Sequence, residues 1–158
     1  MTIDTSAPAA PVFTGITTDT GSSNSDEITS DTTLVLSGTA EANSTVEVFL
    51  GAASLGTTVT NGAGNFSFDY TGTALVEGTH TFTATANDGA NTSAVSADFD
   101  VVVDTSAPAQ PTVTSPADNS TTSDTTPTFT GTGEIGATVN VDDGAGHTCS
   151  ATVDAAGD

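Results

Sequence analysis

The sequence predicts an all-β protein made of tandem β-sandwich repeats, the second of which is incomplete. Three observations lead to this fold class. The chain is rich in Thr, Ser and Gly, a composition that favours short strands and turns over helices. Many short segments alternate apolar and polar residues with the period of two expected for half-buried strands. Finally, the sequence repeats itself with a period near 100 residues.

The internal repeat appears in two blocks. Residues 4–14 read DTSAPAAPVFT and residues 104–114 read DTSAPAQPTVT, so 8 of 11 positions are identical. Residues 29–65 align without gaps to residues 122–158 and share 15 of 37 positions. A period this long does not fit a solenoid but fits tandem sandwich domains joined by short linkers.

The repeat boundaries follow from this alignment. We predict a complete repeat at residues 1–103 and the N-terminal part of a second, truncated repeat at residues 104–158. The second repeat has no counterpart of residues 66–103. Met1 runs into Thr2, Ile3 and Asp4 without a signal-peptide pattern, as expected for a segment of a longer protein.

About seven strands are predicted in the first repeat, with turn residues roughly every 8–12 positions, the rhythm of an immunoglobulin-like sandwich. We expect Val95, Ala97 and Phe99 to point inward from the last strand, together with Val101 and Val103. The predicted strands are Pro11 to Ile16, Thr33 to Thr39, Ser44 to Leu50, Leu55 to Thr60, Asn65 to Tyr70, Thr79 to Ala86 and Ala94 to Val103.

The charge of the chain limits its partners. It has no Lys or Arg and a formal net charge of −20. Nothing can therefore neutralise a nucleic-acid backbone or anionic lipid, and we expect neither as a partner. No run approaches about 18 apolar residues, so no membrane insertion is predicted. The single Cys allows no internal disulfide framework. Carboxylates in such numbers could attract a metal.

A long acidic loop, residues 17–32, is the first candidate metal site. Asp19, Asp26 and Asp31 are interleaved there with Gly and Ser in the segment DTGSSNSDE. Carboxylates, hydroxyls and flexible carbonyls are hard oxygen ligands suited to Ca²⁺. The segment lacks the spacing and closing Glu of an EF-hand, so a solvated acidic loop remains the alternative.

The linker between the repeats is the second candidate. Asp104 follows the last strand, and strands of alternating direction place it at the same end as Asp19 and Asp26. Glu134 aligns with Glu41 and should lie at the facing end of the next repeat. We predict a Ca²⁺ ion at this joint, which would also reduce the repulsion among clustered carboxylates.

The opposite end of the first repeat carries a similar half-site, formed by Asp4, Glu41 and Asp88. Its remaining ligands would belong to a preceding repeat. The predicted calcium ligands are therefore Asp4, Asp19, Asp26, Glu41, Asp88, Asp104 and Glu134.

Several motifs together resemble a known family. The segments LSGTAEANSTVEV, GAGNFSF, LVEGTHTFTATANDGANTS and VVVDTSAP are similar to the bacterial Ig-like repeats of giant type I-secreted, RTX- and Bap-like biofilm adhesins. The resemblance covers nearly the whole chain. It implies an extracellular, non-enzymatic, calcium-dependent rod at the bacterial cell surface, whose partners are neighbouring repeats of the same protein.

Two classes of function follow. The favoured one is a calcium-stiffened structural extender of an adhesin, supporting cell adhesion and biofilm formation. The alternative is a module that binds a glycan or host protein, or an accessory domain of a secreted enzyme. The chain has 7 Phe, one Tyr and no Trp, and most rings are expected to face inward, which favours the extender. The truncated repeat exposes strand edges and is expected to self-associate or stay partly disordered.

Overall fold

The computed structural model describes residues 3–21 and 23–158 and divides the chain into two compact units, Met1–Thr105 and Ser106–Asp158. Residue 22, inside the predicted acidic loop, lies outside the described residues. The described part contains twelve strands and no helix. It accordingly offers no helix long and apolar enough to cross a membrane.

Two sheets form the first unit. One has three strands in the order β1-β3-β6, and the other has five in the order β2-β8-β7-β4-β5. The strands are β1 (Val12–Ile16), β2 (Ile28–Thr29), β3 (Val35–Thr39), β4 (Thr45–Leu50), β5 (Ala53–Val59), β6 (Asn65–Asp69), β7 (Gly78–Asn87) and β8 (Phe99–Val103).

The core lies between these sheets, so the predicted all-β sandwich is confirmed. In β3, β4, β6 and β7, alternate residues point inward, as the period of two requires. Rings link the two sheets: Phe13 stacks on Phe99 with centroids 5.0 Å apart, and Tyr70 meets Phe82 edge-on at 6.3 Å. The buried apolar residues are Leu34, Leu36, Val46, Val48, Phe66, Phe68, Leu75, Phe82, Ala84, Ala86, Val101 and Val103.

A glycine in β3 permits the close approach of β1. A Cβ atom on Gly38 would lie 2.5 Å from the Val12 carbonyl oxygen and would also overlap the Phe66 ring. Gly131, which is 93 positions further along, would meet the Thr112 carbonyl oxygen in the same way. Both repeats therefore need a residue without a side chain at the place where their first strand pairs with the strand that carries the glycine.

The predicted last strand is wrong in its first half. The strand begins at Phe99 rather than Ala94, and Val95 is 57% exposed. Ser93 and Ser96 are buried instead, and their hydroxyls accept the N–H groups of Ala86 and Ala84, at 2.9 and 3.0 Å. The buried positions are thus three residues apart, because serine hydroxyls replace main-chain carbonyls as partners of β7.

The acidic loop also contains a strand that the sequence analysis did not predict. Strand β2 pairs in parallel with β8, matching Ile28 to Val102 and Thr29 to Val103. Glu27 and Thr29 accept main-chain hydrogen bonds from Val102 and Asp104, at 2.9 and 2.8 Å. This pairing covers the edge of β8, which would otherwise present unpaired backbone groups.

The second unit is an open half-sandwich. Its strands are β9 (Thr112–Ser115), β10 (Thr130–Thr132), β11 (Thr138–Asp142) and β12 (Thr148–Thr152), paired β9–β10 and β11–β12. Among the described residues of this unit, only Val153 is a buried hydrophobic, and Phe129 is 45% exposed. Val113, Phe129, Val139 and Val141 line a cleft of about 800 Å³.

Candidate functional site

The register of the strands defines two ends of the first unit. At the entry end, Val12 pairs with Thr39 and Thr45 pairs with Asn87. At the exit end, Gly78 pairs with Val103, where β8 finishes. The chain therefore enters the sandwich at one end and leaves it at the other. The carboxylates that the sequence singled out in this unit lie in loops or linkers at these two ends.

Asp19 organises the acidic loop at the exit end. Its Oδ2 accepts main-chain hydrogen bonds from Asp26 and Glu27, both at 3.2 Å. Its Oδ1 is buried and has no hydrogen-bond partner among the described residues. Buried carboxylate oxygens normally have partners, because desolvation without one is costly. Asp19 thus holds the turn with one oxygen and presents the other without a donor.

The other two aspartates of this loop have local partners. Asp26 Oδ1 accepts the N–H of Ile28 at 3.3 Å. Asp31 Oδ1 accepts both the N–H and the hydroxyl of Thr33, at 2.8 and 2.9 Å. Both side chains shape the loop in the manner of Asx turns.

The linker that leaves the first unit is hydrogen-bonded to the exit end. The Asp104 N–H donates to the Thr29 carbonyl oxygen at 2.8 Å. The Thr105 hydroxyl donates to Glu77 Oε2 at 2.9 Å. The linker direction is therefore fixed for two residues beyond β8.

At the entry end, the loop between β7 and β8 is closed by Asp88. Its Oδ1 accepts the N–H groups of Ala90 and Asn91, each at 2.7 Å. These hydrogen bonds favour the ionised carboxylate and therefore lower the pKa of Asp88 below its ordinary 3.8. The bond from Asn91 has the larger effect, followed by that from Ala90. The loop stays closed while Asp88 is charged.

The same loop holds the N-terminal linker. Asn91 Nδ2 donates to the carbonyl oxygens of Asp4 and Ser6, at 3.4 and 3.2 Å. Asp4 Oδ1 accepts the Ser6 N–H at 3.0 Å, and Pro8 is buried. Asn91 was missed in the sequence analysis, whose candidate site residues were all carboxylates.

Glu41 and Glu134 occupy equivalent turns. The Glu41 carbonyl oxygen accepts the hydroxyls of Ser44 and Thr60, at 2.7 and 2.6 Å. In the second unit, Glu134 Oε2 accepts the Ala109 N–H at 3.1 Å. Glu134 thus contacts the linker segment that precedes its own strands.

The structure brings the predicted ligands together only in part. Asp19 lies beside Asp26, and Asp4 is joined to the Asp88 loop through Asn91. Within residues 3–21 and 23–158, no three or more His, Cys, Asp or Glu side chains form a group that could hold a metal ion. The unpartnered Asp19 Oδ1 nevertheless fits a hard cation, to which loop carbonyls could add further oxygens.

A comparison with protein families decides the class. A family model described as Bacterial Ig-like domain matches residues 7–105. The chain belongs to the bacterial Ig-like domain family. Bacterial Ig-like domains are common in surface proteins, are often extracellular, and are typically non-catalytic structural modules. A search of curated proteins found no similar sequence. The matched residues span the sandwich and extend into both linkers.

Proposed function

We propose that this bacterial Ig-like domain is a structural extender in a tandem array, projecting an adhesive tip from a bacterial surface in cell adhesion and biofilm formation. The observation that carries this proposal is the placement of the linkers. The DTSAP segment at residues 4–8 precedes the entry end, and its identical copy at residues 104–108 follows the exit end. Strand β7 has 10 residues, so each repeat adds about 30 Å of reach.

The aromatic residues support a spacer over a glycan-binding module. Sugar sites usually present exposed rings, because ring faces stack on the apolar faces of sugars. Here, most rings are used in the core of the first unit. Those that lie in or against the core are Phe13, Phe66, Phe68, Tyr70, Phe82 and Phe99.

We further propose that Ca²⁺ stiffens the joint between repeats. Asp19 Oδ1 supports this proposal, since the chain has no Lys or Arg to satisfy a buried carboxylate oxygen. Asp26 and Asp104 would add carboxylates from the same repeat, and Glu134 would add one from the next. Such oxygen-rich sets suit Ca²⁺, and the bound ion would oppose the repulsion that a net charge of −20 creates.

Small-angle X-ray scattering tests both proposals. A protein in which a second copy of residues 4–103 follows Val103, so that an aspartate again stands at position 104, should be extended in calcium, and chelation should shorten and broaden its distance distribution. Asp104→Ala should look flexible in both conditions. Asp98→Ala is the matched control, because it removes the same charge from an exposed position. Asp98 precedes Phe99, and Phe99 pairs with Phe82 in the middle of β7.

Two outcomes would count against these proposals separately. An equally extended protein in chelator would mean that packing and proline stiffen the joint, and the calcium mechanism would be wrong. A compact, folded-back protein in calcium would contradict the extender itself.

A further inference from the structure

The two copies of the DTSAP linker are held by different parts of the bacterial Ig-like domain. The copy at residues 4–8 is held at the entry end by Asn91, through the carbonyl oxygens of Asp4 and Ser6. The copy at residues 104–108 is held at the exit end through the Asp104 N–H and the Thr105 hydroxyl. The two ends of the domain thus form hydrogen bonds with different atoms of the same linker sequence.

These two sets of contacts use different atoms of the linker residues. The entry end uses main-chain carbonyls of the first and third linker residues. The exit end uses the main-chain N–H of the first residue and the side-chain hydroxyl of the second. No atom is claimed twice by these contacts. Because the two copies are identical in sequence, every DTSAP segment carries all four of these groups.

The linker also carries its own preorganisation. Asp4 Oδ1 accepts the Ser6 N–H at 3.0 Å, which closes an Asx turn. This turn accompanies the two hydrogen bonds from Asn91 Nδ2 to the Asp4 and Ser6 carbonyls. An ordered segment loses less conformational entropy on docking than a flexible one.

The chain contains a natural comparison for the entry-end contact. Pro8 is buried in the first unit, where the loop between β7 and β8 is present. Pro108 occupies the same place in the second copy and is exposed, and the second repeat has no counterpart of this loop. Burial of the linker proline therefore accompanies the presence of the loop that carries Asn91.

We propose that the β7–β8 loop is a docking site for the DTSAP linker and that, in a tandem of complete repeats, each linker is clamped by hydrogen bonds from both neighbouring domains. Asn91 fixes the linker to the domain that follows it. Glu77 and the Thr29 carbonyl fix it to the domain that precedes it. This clamp needs no metal, and it rests on the proposed role of the domain as one repeat of an array.

The test uses the full chain in excess chelator, so that calcium cannot order the linker. Backbone amide order parameters of residues 4–6 are measured by NMR relaxation. Asn91→Asp removes the Nδ2 donor at nearly constant size, and these order parameters should fall from about 0.85 to below about 0.6. Thr92→Ala is the matched control, because Thr92 lies in the same loop and bonds Asn87 rather than the linker.

The exit half of the clamp has its own pair of variants. Thr105→Val removes the hydroxyl that Glu77 accepts and should mobilise residues 104–106. Thr5→Val makes the same change in the other DTSAP copy, where the entry end uses carbonyl oxygens, and residues 4–6 should stay ordered. Fluorescence of Tyr70, the single Tyr in the chain, confirms that each variant keeps its folded core.

Three results would overturn the clamp. Unchanged order at residues 4–6 in Asn91→Asp would remove its entry half, and unchanged order at residues 104–106 in Thr105→Val would remove its exit half. Equal loss of order in Asn91→Asp and Thr92→Ala would assign linker order to the loop fold rather than to the Asn91 amide. A clamp that passes while the tandem folds back in calcium would leave only the extender function refuted.

Discussion

Replacement of Asp19 by Asn separates the calcium role of this residue from its structural role. The Asn side-chain oxygen can still accept the N–H groups of Asp26 and Glu27, so the turn should remain closed. The buried Oδ1, which has no donor among the described residues, becomes an NH₂ group, and the negative charge is lost. The variant therefore keeps the loop and removes the proposed calcium ligand.

The expected effect reverses between two conditions. With a dissociation constant of ~10⁻⁴ M and ~1 mM calcium, one site stabilises the folded state by about 1.4 kcal/mol. For a domain of this size, that corresponds to a rise in the melting temperature of about 6–11 °C. In calcium, the melting temperature of the wild type should exceed that of Asp19→Asn by up to this amount. In chelator, the variant should equal or exceed the wild type, because no unpartnered carboxylate oxygen is buried.

Tyr70 provides the assay. It is the single Tyr in a chain without Trp, and it packs against Phe82 in the first unit. Its fluorescence during thermal unfolding therefore reports the bacterial Ig-like domain and not the second unit. Asp98→Asn is the control for loss of one charge at an exposed position. A wild-type melting temperature that does not respond to calcium, or an equal response in Asp19→Asn, would contradict the role of Asp19 as a calcium ligand.

Three further predictions concern the sandwich and its entry loop. Gly38→Ala should lower the free energy of unfolding by about 2–3 kcal/mol in a denaturant titration, because the new Cβ overlaps the Phe66 ring; a change within error would contradict this. Ser96→Ala should cost about 1–3 kcal/mol by the same measurement, since the buried Ala84 N–H loses its partner, whereas substitution of an exposed serine should be neutral. Acid titration followed by NMR should open the β7–β8 loop only below pH 3.8, because hydrogen bonds in the folded loop lower the pKa of Asp88. The stabilisation from Asp88 is complete above its ordinary pKa of 3.8 and is lost as the pH falls through the lower pKa of the folded state. A midpoint of loop opening at or above pH 3.8 would be inconsistent with this prediction.

The sandwich core could be predicted from the sequence alone, because the alternation of apolar and polar residues is a local property. In β4 and in the second half of β7, every second residue is apolar, and the structure buries Val46, Val48, Phe82, Ala84 and Ala86. The face that a side chain occupies in a strand depends only on its position along that strand. The internal repeat is likewise visible in the sequence, and it located both linkers.

Features that depend on distant partners could be seen only in the folded chain. The three-residue spacing of Ser93 and Ser96 has meaning only beside β7, whose N–H groups their hydroxyls satisfy. The two-residue strand β2 forms because β8 offers an open edge, and so short a segment has no periodicity to detect.

The candidate site shows the same division. Acidic composition was sufficient to nominate Asp19, but only the folded loop buries one of its oxygens without a donor. Asn91 carries no charge, and the sequence analysis gave it no role in holding the linker. Its contacts with Asp4 and Ser6 span 87 and 85 positions, and a hydrogen bond across such a separation exists only after the chain has folded.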